Sequence, residues 1–261
     1  MLRRIQRAPR FGIILGTGLG GMVSEIADPI RIPYAKIPGM PIPTVEGHAG
    51  ELVAGDVGGR PVIALEGRFH YYEGHPIEAV AYPVRLLAAL GVETLIVSGA
   101  CGGMNPKYEA GDVVLIEDHI NLMGVNPLIG PNDERVGPRF PDMSEPYDRE
   151  WLARAEKLAR KHGTRTHRAV YAAVAGPNLE TRAEYRFLRR IGADVVGMSV
   201  VPEVITAVHG GLRVFGVAII TDMCLPHALK PATLEQILAV ARRSEPKMAR
   251  LIRDLISTSP D

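Results

Sequence analysis

The side chains that could do chemistry in this sequence gather in short glycine-rich or polar stretches. They are Gly16-Thr17-Gly18, Gly67-Arg68-Phe69-His70-Tyr71-Tyr72-Glu73-Gly74, Ser98-Gly99-Ala100-Cys101-Gly102-Gly103, Gly176-Pro177-Asn178-Leu179-Glu180-Thr181, Gly197-Met198-Ser199 and Thr221-Asp222. Together they offer hydroxyls, exposed backbone N–H groups, an arginine and the carboxylates Glu180 and Asp222. Glycines at 16 and 18 bare their backbone N–H groups and Thr17 adds a hydroxyl, which makes a nest for a small oxyanion such as inorganic phosphate. Arg68 would bring a rigid fork of donors suited to phosphate oxygens, with His70 and Ser199 beside it. Taken singly, Arg68 fits a surface ion pair equally well, and His48 and His70 fit hydrogen-bonded loop histidines.

Gly16-x-Gly18-x-x-Gly21 also has the form of a dinucleotide fingerprint, but that reading needs an acid at the end of the next strand. Asp28 sits in a proline-flanked loop instead, so a dinucleotide is disfavoured. Cys101 reads as a small buried hydrophobe, because no base or metal partner adjoins it in sequence, and Leu179 and Met198 fit a core as well as a site.

These stretches follow apolar runs. Phe11 to Leu15 reads as a buried strand, and residues 29 to 50 as a long loop. Leu52 to Val57 and Pro61 to Leu65 form a hairpin around Gly58-Gly59. Pro76 to Leu90 has helical spacing, stopped by Gly91, and Thr94 to Val97 and Val113 to Ile116 are buried strands. Residues 119 to 147 form a long loop of the kind that serves function. Then come a helix from Asp148 to about His162, a strand Ala169 to Ala175, a helix Glu180 to Arg190, a strand Asp194 to Val196, a helix 201 to 210 and a strand 212 to 221. The last helix carries Leu234, Ile237, Leu238, Ala241, Met248, Leu251, Ile252 and Leu255 on one stripe, with Pro246 expected to kink or split it. The alternation predicts one α/β domain over 1–261, a mixed and mainly parallel sheet flanked by helices on both faces. In such sheets ligands bind beyond the carboxyl ends of the strands, where the polar stretches fall.

Composition narrows the function. The 261 residues carry a formal net charge of +1, so no global field draws nucleic acid or an anionic membrane, and no basic patch with interleaved aromatics appears. The arginine-rich start is not followed by an apolar run of signal-peptide length, and no stretch nears the roughly 18 apolar residues of a spanning helix. Two cysteines, Cys101 and Cys224, are too few for a disulfide framework and lack zinc-ligand spacing; both are expected to be reduced and structural, in a cytoplasmic protein.

The ordered set Gly-Thr-Gly-Leu-Gly, Gly-Arg-Phe-His-Tyr-Tyr-Glu-Gly, Gly102-Gly-Met-Asn-Pro106, Asp118-His-Ile-Asn121, Gly130-Pro-Asn-Asp133, Ala175-Gly-Pro177 and Val196-Gly-Met-Ser199 with Val201-Pro-Glu203 resembles the trimeric purine nucleoside phosphorylases. The resemblance runs from about Gly12 to the final helix, and the 5′-methylthioadenosine phosphorylases share a weaker version of it. It implies a nucleoside phosphorylase-like fold and phosphorolysis of purine nucleosides to free purine and ribose 1-phosphate. Phosphate is then a co-substrate, no metal or redox cofactor is needed, and the assembly is a homotrimer. By the same resemblance Thr17, Arg68, His70, the N–H of Ala100 and Ser199 hold phosphate. Tyr72 and Met198 contact the ribose, His48 lies near phosphate and sugar, and Phe140 reaches a neighbouring subunit's sugar pocket. The base lies among Cys101, Leu179, Glu180, Val196, Gly197, Thr221 and Asp222.

The sequence departs from that family in two places. Relatives acting on 6-oxopurines pair a glutamate with an asparagine, whereas the matching residues here are Glu180 and Asp222. Glu180 suits the N1–H of hypoxanthine or guanine, while an ionised Asp222 would face O6 acceptor to acceptor. Carboxyls converging on one ring raise each other's proton affinity, so Asp222 is expected to carry a proton as general acid. At the 5′ end, Leu234 falls where relatives place a histidine, with His227 as a possible substitute; an apolar end would favour a 5′-methylthio group. The competing functions are therefore a 5′-methylthioadenosine phosphorylase, an NAD-dependent oxidoreductase, and a non-catalytic nucleoside-binding protein. Retention of Arg68, His70 and Ser199 argues against the last, since a binder needs no phosphate.

Overall fold

The computed structural model describes residues 8–16, 19–44 and 49–260. Thr17 and His48, both expected at the site, lie outside the described residues. Strand β1 (Phe11–Leu15) is buried along its whole length, as a central strand covered on both faces must be. It pairs in parallel with β4 (Arg60–Glu66) and β5 (Thr94–Gly103). Antiparallel to β4 runs β3 (Glu51–Val57), joined to it through Gly58 and Gly59, which take positive φ of 58° and 81° as a two-residue hairpin turn requires.

The remaining strands are β2 (Ala27–Pro33), β6 (Val113–Leu122), β7 (Thr166–Val174), β8 (Val195–Gly197) and β9 (Arg213–Met223). The order is β2-β3-β4-β1-β5-β8-β7-β6-β9, and β9 pairs again with β5. Strands β5, β8, β7, β6 and β9 thus close on themselves, while β2, β3, β4 and β1 form a wing leading away. Closure removes the edges that the polar ends of β5 and β9 would otherwise expose. Helices α1 (Ile77–Ala89), α2 (Arg149–Lys161), α3 (Arg182–Arg190), α4 (Val201–His209) and α5 (Leu234–Ser257) surround the sheet; α1 packs on α4, α2 on α5, and α5 against β9. Among the described residues no helix is long and apolar enough to cross a membrane.

The mixed α/β architecture and the hairpin match the sequence expectation, with several corrections. Part of the segment read as a loop from 29 to 50 is β2, whose exposed, proline-bearing sequence hides an outer strand on the wing. Asp28 lies in β2 with φ of 49°, at an irregularity in its pairing with β3. Strand β5 runs on through Gly103 rather than ending at Val97, because β9 pairs with it from Thr94 to Gly103. Ala100, Cys101, Thr221 and Asp222 are therefore strand residues, not loop tips. Strand β6 likewise reaches Leu122. Helix α3 starts at Arg182, after a reciprocal cap between Thr181 and Glu184, which leaves Glu180 outside the helix. Helix α5 continues unbroken across Pro246, which lies on the exposed face over exposed Arg242, where water can serve the carbonyl that loses its helical donor.

Candidate functional site

The site begins where the ladder around β5 is interrupted. On one side β1 pairs with β5 only to Val97, and β8 takes over only at Gly102. The Ser98–Cys101 backbone between them has no strand partner on that side among the described residues, so polar groups are left for other partners. Arg68, just past β4, takes up one of them: its Nη1 donates to the Ser98 carbonyl at 2.6 Å. Its Nε donates to Glu203 Oε1 at 2.6 Å, from the first turn of α4. Ser98 Oγ in turn donates to the Ile14 carbonyl at 3.0 Å and accepts from Gly16 N–H at 3.3 Å, tying the end of β1 to the same spot. A side chain at Gly16 would place Cβ 2.9 Å from Arg68 Nη1, so glycine is needed there for close approach.

His70 and Glu73 form the next part. Glu73 Oε1 accepts from the His70 N–H at 2.7 Å and lies 3.2 Å from Nδ1, while Oε2 accepts from the Thr44 N–H and hydroxyl at 2.7 and 2.6 Å. Burial alone would raise the Glu73 carboxyl, but these hydrogen bonds outweigh it and hold it well below the ordinary range. The carboxylate can only accept, so Nδ1 of His70 carries the proton that faces it. Burial lowers His70, with the Glu73 hydrogen bond opposing, which favours the neutral ring. Tyr72 stacks on it at 4.7 Å between centroids.

Ser199 is held by strain. Val200 has φ of 68° and ψ of −56°, and the Val201 N–H donates to the Ser199 carbonyl at 2.7 Å. This is a γ-turn of the strained hand, adopted here by a β-branched residue, and such outliers cost about 1–3 kcal/mol. Full burial of Val200 locks it, and the turn fixes where Ser199 points.

A cavity of about 360 Å³ is lined by Arg68, His70, Ala100 and Ser199, by Tyr72 and Met198, and by Cys101, Leu179, Glu180, Val196, Gly197, Thr221 and Asp222. Every described residue expected to hold phosphate or base lines it. Phe140 does not line it; it is 87% exposed, with the Arg139 guanidinium 5.7 Å from its ring centroid. Leu179, 45% exposed, is not core, and neither is Leu234, which is 52% exposed and lines the cavity together with Ile237. His227 is not among the lining residues.

Within the cavity Asp222 Oδ1 accepts from the Thr221 hydroxyl at 2.9 Å, and Oδ2 from the Cys224 thiol at 3.2 Å. Burial raises Glu180, a Tyr185 hydrogen bond opposes, and the charges of Glu184 and Asp222 push it further up. The thiol of Cys101 donates to the Ile219 carbonyl at 3.5 Å. Sequence reasoning missed Glu73 and Glu203 as partners, and Tyr185 and Cys224 as lining residues. A usable signal existed for Cys224, which follows Asp222 at the two-residue spacing that puts strand side chains on one face.

From Gly20 to Glu25 the chain forms a short 3-10 segment rather than an α-helix whose N-terminus could bind a pyrophosphate. Gly21 has a different use: a Cβ there would lie 2.7 Å from Glu245 Oε2, and Glu245 Oε1 accepts from the Met22 N–H at 3.2 Å. The dinucleotide reading fails on this geometry.

One cavity thus joins Arg68, His70 and Ser199 to the two carboxyls Glu180 and Asp222. The chain belongs to the phosphorylase superfamily, whose family model matches residues 10–257. It is 46% identical over 255 residues to purine nucleoside phosphorylase 1 of Bacillus subtilis (strain 168), covering 98% of this chain and 94% of that one. The fold matches the Schistosoma mansoni purine nucleoside phosphorylase in complex with adenosine with a TM-score of 0.94 at 39% identity, covering 99% of this chain and 94% of the other. Against the same enzyme in complex with inosine the TM-score is 0.93 at 39% identity, covering 100% and 94%.

Proposed function

We propose that the chain is a purine nucleoside phosphorylase, which uses inorganic phosphate to cleave the N-glycosidic bond of purine ribo- and deoxyribonucleosides into free purine and (deoxy)ribose 1-phosphate. The observation that carries this reading is the single cavity joining Arg68, His70 and Ser199 to Glu180 and Asp222. Phosphate at the first end lies against C1′ of a sugar placed beside Tyr72 and Met198. As the glycosidic bond breaks, the sugar gains cationic character that the phosphate dianion stabilises, and phosphate oxygen then bonds to C1′. The electron pair of the broken bond goes to the purine, which the base end must stabilise.

One proton shared between Glu180 and Asp222 serves that purpose for either type of base. For a 6-oxopurine, Glu180 accepts N1–H while protonated Asp222 donates to N7 or O6 as general acid. For a 6-aminopurine, protonated Glu180 donates to N1 and Asp222 accepts from the exocyclic amine. Neutral His70, with Nδ1–H on Glu73, presents an acceptor for a phosphate hydroxyl. The Ala100 N–H would complete the phosphate site, with Thr17 and His48 assigned to phosphate and sugar by the sequence resemblance alone.

A second reading, a 5′-methylthioadenosine phosphorylase, is favoured by Leu234 and Ile237, which make the rim of the cavity apolar where a 5′ substituent would end. Phe140, exposed on its own chain, fits the sugar pocket of a neighbour in a homotrimer. Release of reusable base places the enzyme in purine salvage, and its two free buried thiols suit the reducing cytoplasm.

The test is base release from inosine, guanosine, adenosine and 5′-methylthioadenosine, each with and without phosphate. Phosphate-dependent release is expected; a methylthio substrate far ahead of adenosine would select the second reading, and release without phosphate would overturn both.

A further inference from the structure

The segment that follows Gly16-Thr17-Gly18 is held by a helix more than 200 residues away in sequence. Gly20–Glu25 is a 3-10 segment flanked by Leu19, whose side chain cannot cap it, so its first N–H groups need acceptors from elsewhere. Helix α5 supplies one: Glu245, half-buried near mid-helix, accepts from the Met22 N–H on Oε1 at 3.2 Å. Gly21 leaves the room, since a Cβ there would lie 2.7 Å from Oε2 and 2.9 Å from Cδ of Glu245. A second tie from α5 joins Arg253 Nη1 to Glu25 Oε2 at 3.0 Å. The segment also abuts β4, where a Cβ on Gly20 would lie 3.2 Å from Glu66 Oε1. Its start is linked to the arginine: the Leu19 N–H donates to the Gly16 carbonyl at 3.1 Å, and a Cβ on Gly16 would lie 2.9 Å from Arg68 Nη1.

We propose that Glu245 is a positioning residue for phosphate, a cap lent by α5 that holds Gly20–Glu25 in place and so keeps Gly16 seated against Arg68. The proposal rests on the phosphorolytic function proposed above and deepens it. A half-buried carboxyl is costly, and burial pushes this one up from its ordinary value, with the charge of Glu66 adding to the push. An apolar side chain would avoid that cost, so the use of the carboxyl lies in the hydrogen bond it accepts. Met22 is fully buried, so water is not at hand to replace that acceptor. Without the cap, the restraint on Leu19 and Gly16 weakens. The Gly16 N–H donates to Ser98 Oγ at 3.3 Å and the Ser98 carbonyl accepts from Arg68 Nη1 at 2.6 Å, so a shift of Gly16 reaches the guanidinium directly. Glu180 and Asp222, on the turn before α3 and on β9, take no part in this series of contacts, which separates an effect on phosphate from one on the base.

The experiment measures KM for phosphate at saturating nucleoside, and KM for inosine and adenosine at saturating phosphate, in wild type, Glu245→Ala, Glu245→Gln, Gly21→Ala and the double variant Gly21→Ala/Glu245→Ala. Glu245→Ala should raise KM for phosphate about fivefold, as loss of a helix cap does to the equilibrium it supports, while KM for nucleoside and kcat stay near wild type. Glu245→Gln should restore KM for phosphate, because an amide oxygen still accepts from the Met22 N–H. Gly21→Ala displaces the carboxylate and should act like Glu245→Ala, with no further rise in the double variant, since both remove one interaction. If Glu245→Ala fails to fold, Gly21→Ala and Glu245→Gln still give the comparison. An unchanged KM for phosphate in the variants that lose the cap, an equal rise in KM for both substrates, no rescue by glutamine, or additive effects in the double variant would overturn the proposal. Wild-type protein that releases base without phosphate would instead overturn the phosphorolytic reading on which it stands.

Discussion

Arg68 and Glu203 form a buried ion pair, with Nε to Oε1 at 2.6 Å and side chains 1% and 3% exposed. The pair crosses from the end of β4 to the start of α4, so it fixes the arginine against the elements that present Ser98 and Ser199. Because the carboxylate already offsets the guanidinium, the phosphate proposed to bind there would meet a balanced site rather than a bare cation.

Removing the carboxylate of such a pair costs about 3–5 kcal/mol, since a buried charge loses its compensation. Glu203→Ala should therefore lower the urea-unfolding free energy by about that amount and raise KM for phosphate more than KM for nucleoside. Equal stability of variant and wild type in urea would contradict the pair's structural role.

Acid sensitivity should report on Glu73. Its folded proton affinity lies below the ordinary carboxylate value, so its contribution to stability is present above that ordinary range and is lost as pH falls through the depressed folded value. Glu73→Gln should be less stable than wild type at neutral pH and lose less stability on acidification. Parallel stability curves for the two proteins would argue against the His70–Glu73–Thr44 network.

Substituting Asp222→Asn supplies a permanent donor beside Glu180 and removes the acceptor needed by a 6-amino group. The inosine-to-adenosine ratio of kcat/KM should rise by about tenfold or more, since a missing polar partner at a built site is heavily penalised. Unchanged relative rates would remove Asp222 from base recognition.

At the other end, Leu234→His replaces an apolar lining residue with a hydrogen-bonding one. The ratio of adenosine to 5′-methylthioadenosine turnover should increase about tenfold, within the range an apolar pocket supplies. An unaltered ratio would place the 5′ substituent elsewhere.

The strands and helices were legible because their apolar periodicity is local, as in Phe11–Leu15 and the stripe of α5. What stayed hidden was set by pairing partners far away in sequence. Residues Ser98 to Gly103 read as a loop tip from their glycines, yet β9 holds them in register as strand. Closure of β5 onto β9 has no local signature. The motif residues Arg68, His70, Glu180 and Asp222 could be picked out because their types suit phosphate and base chemistry. Their partners Glu203 and Thr44 come from other elements, and only the fold brings them together.

The fate of phosphate tests the central claim most directly. With 32P-labelled phosphate and inosine or adenosine, phosphorolysis predicts one label transferred to a sugar 1-phosphate for each purine released, with no free ribose formed. Purine release accompanied by free ribose and unchanged labelled phosphate would show hydrolysis, and would contradict the function assigned to the Arg68, His70 and Ser199 end of the cavity.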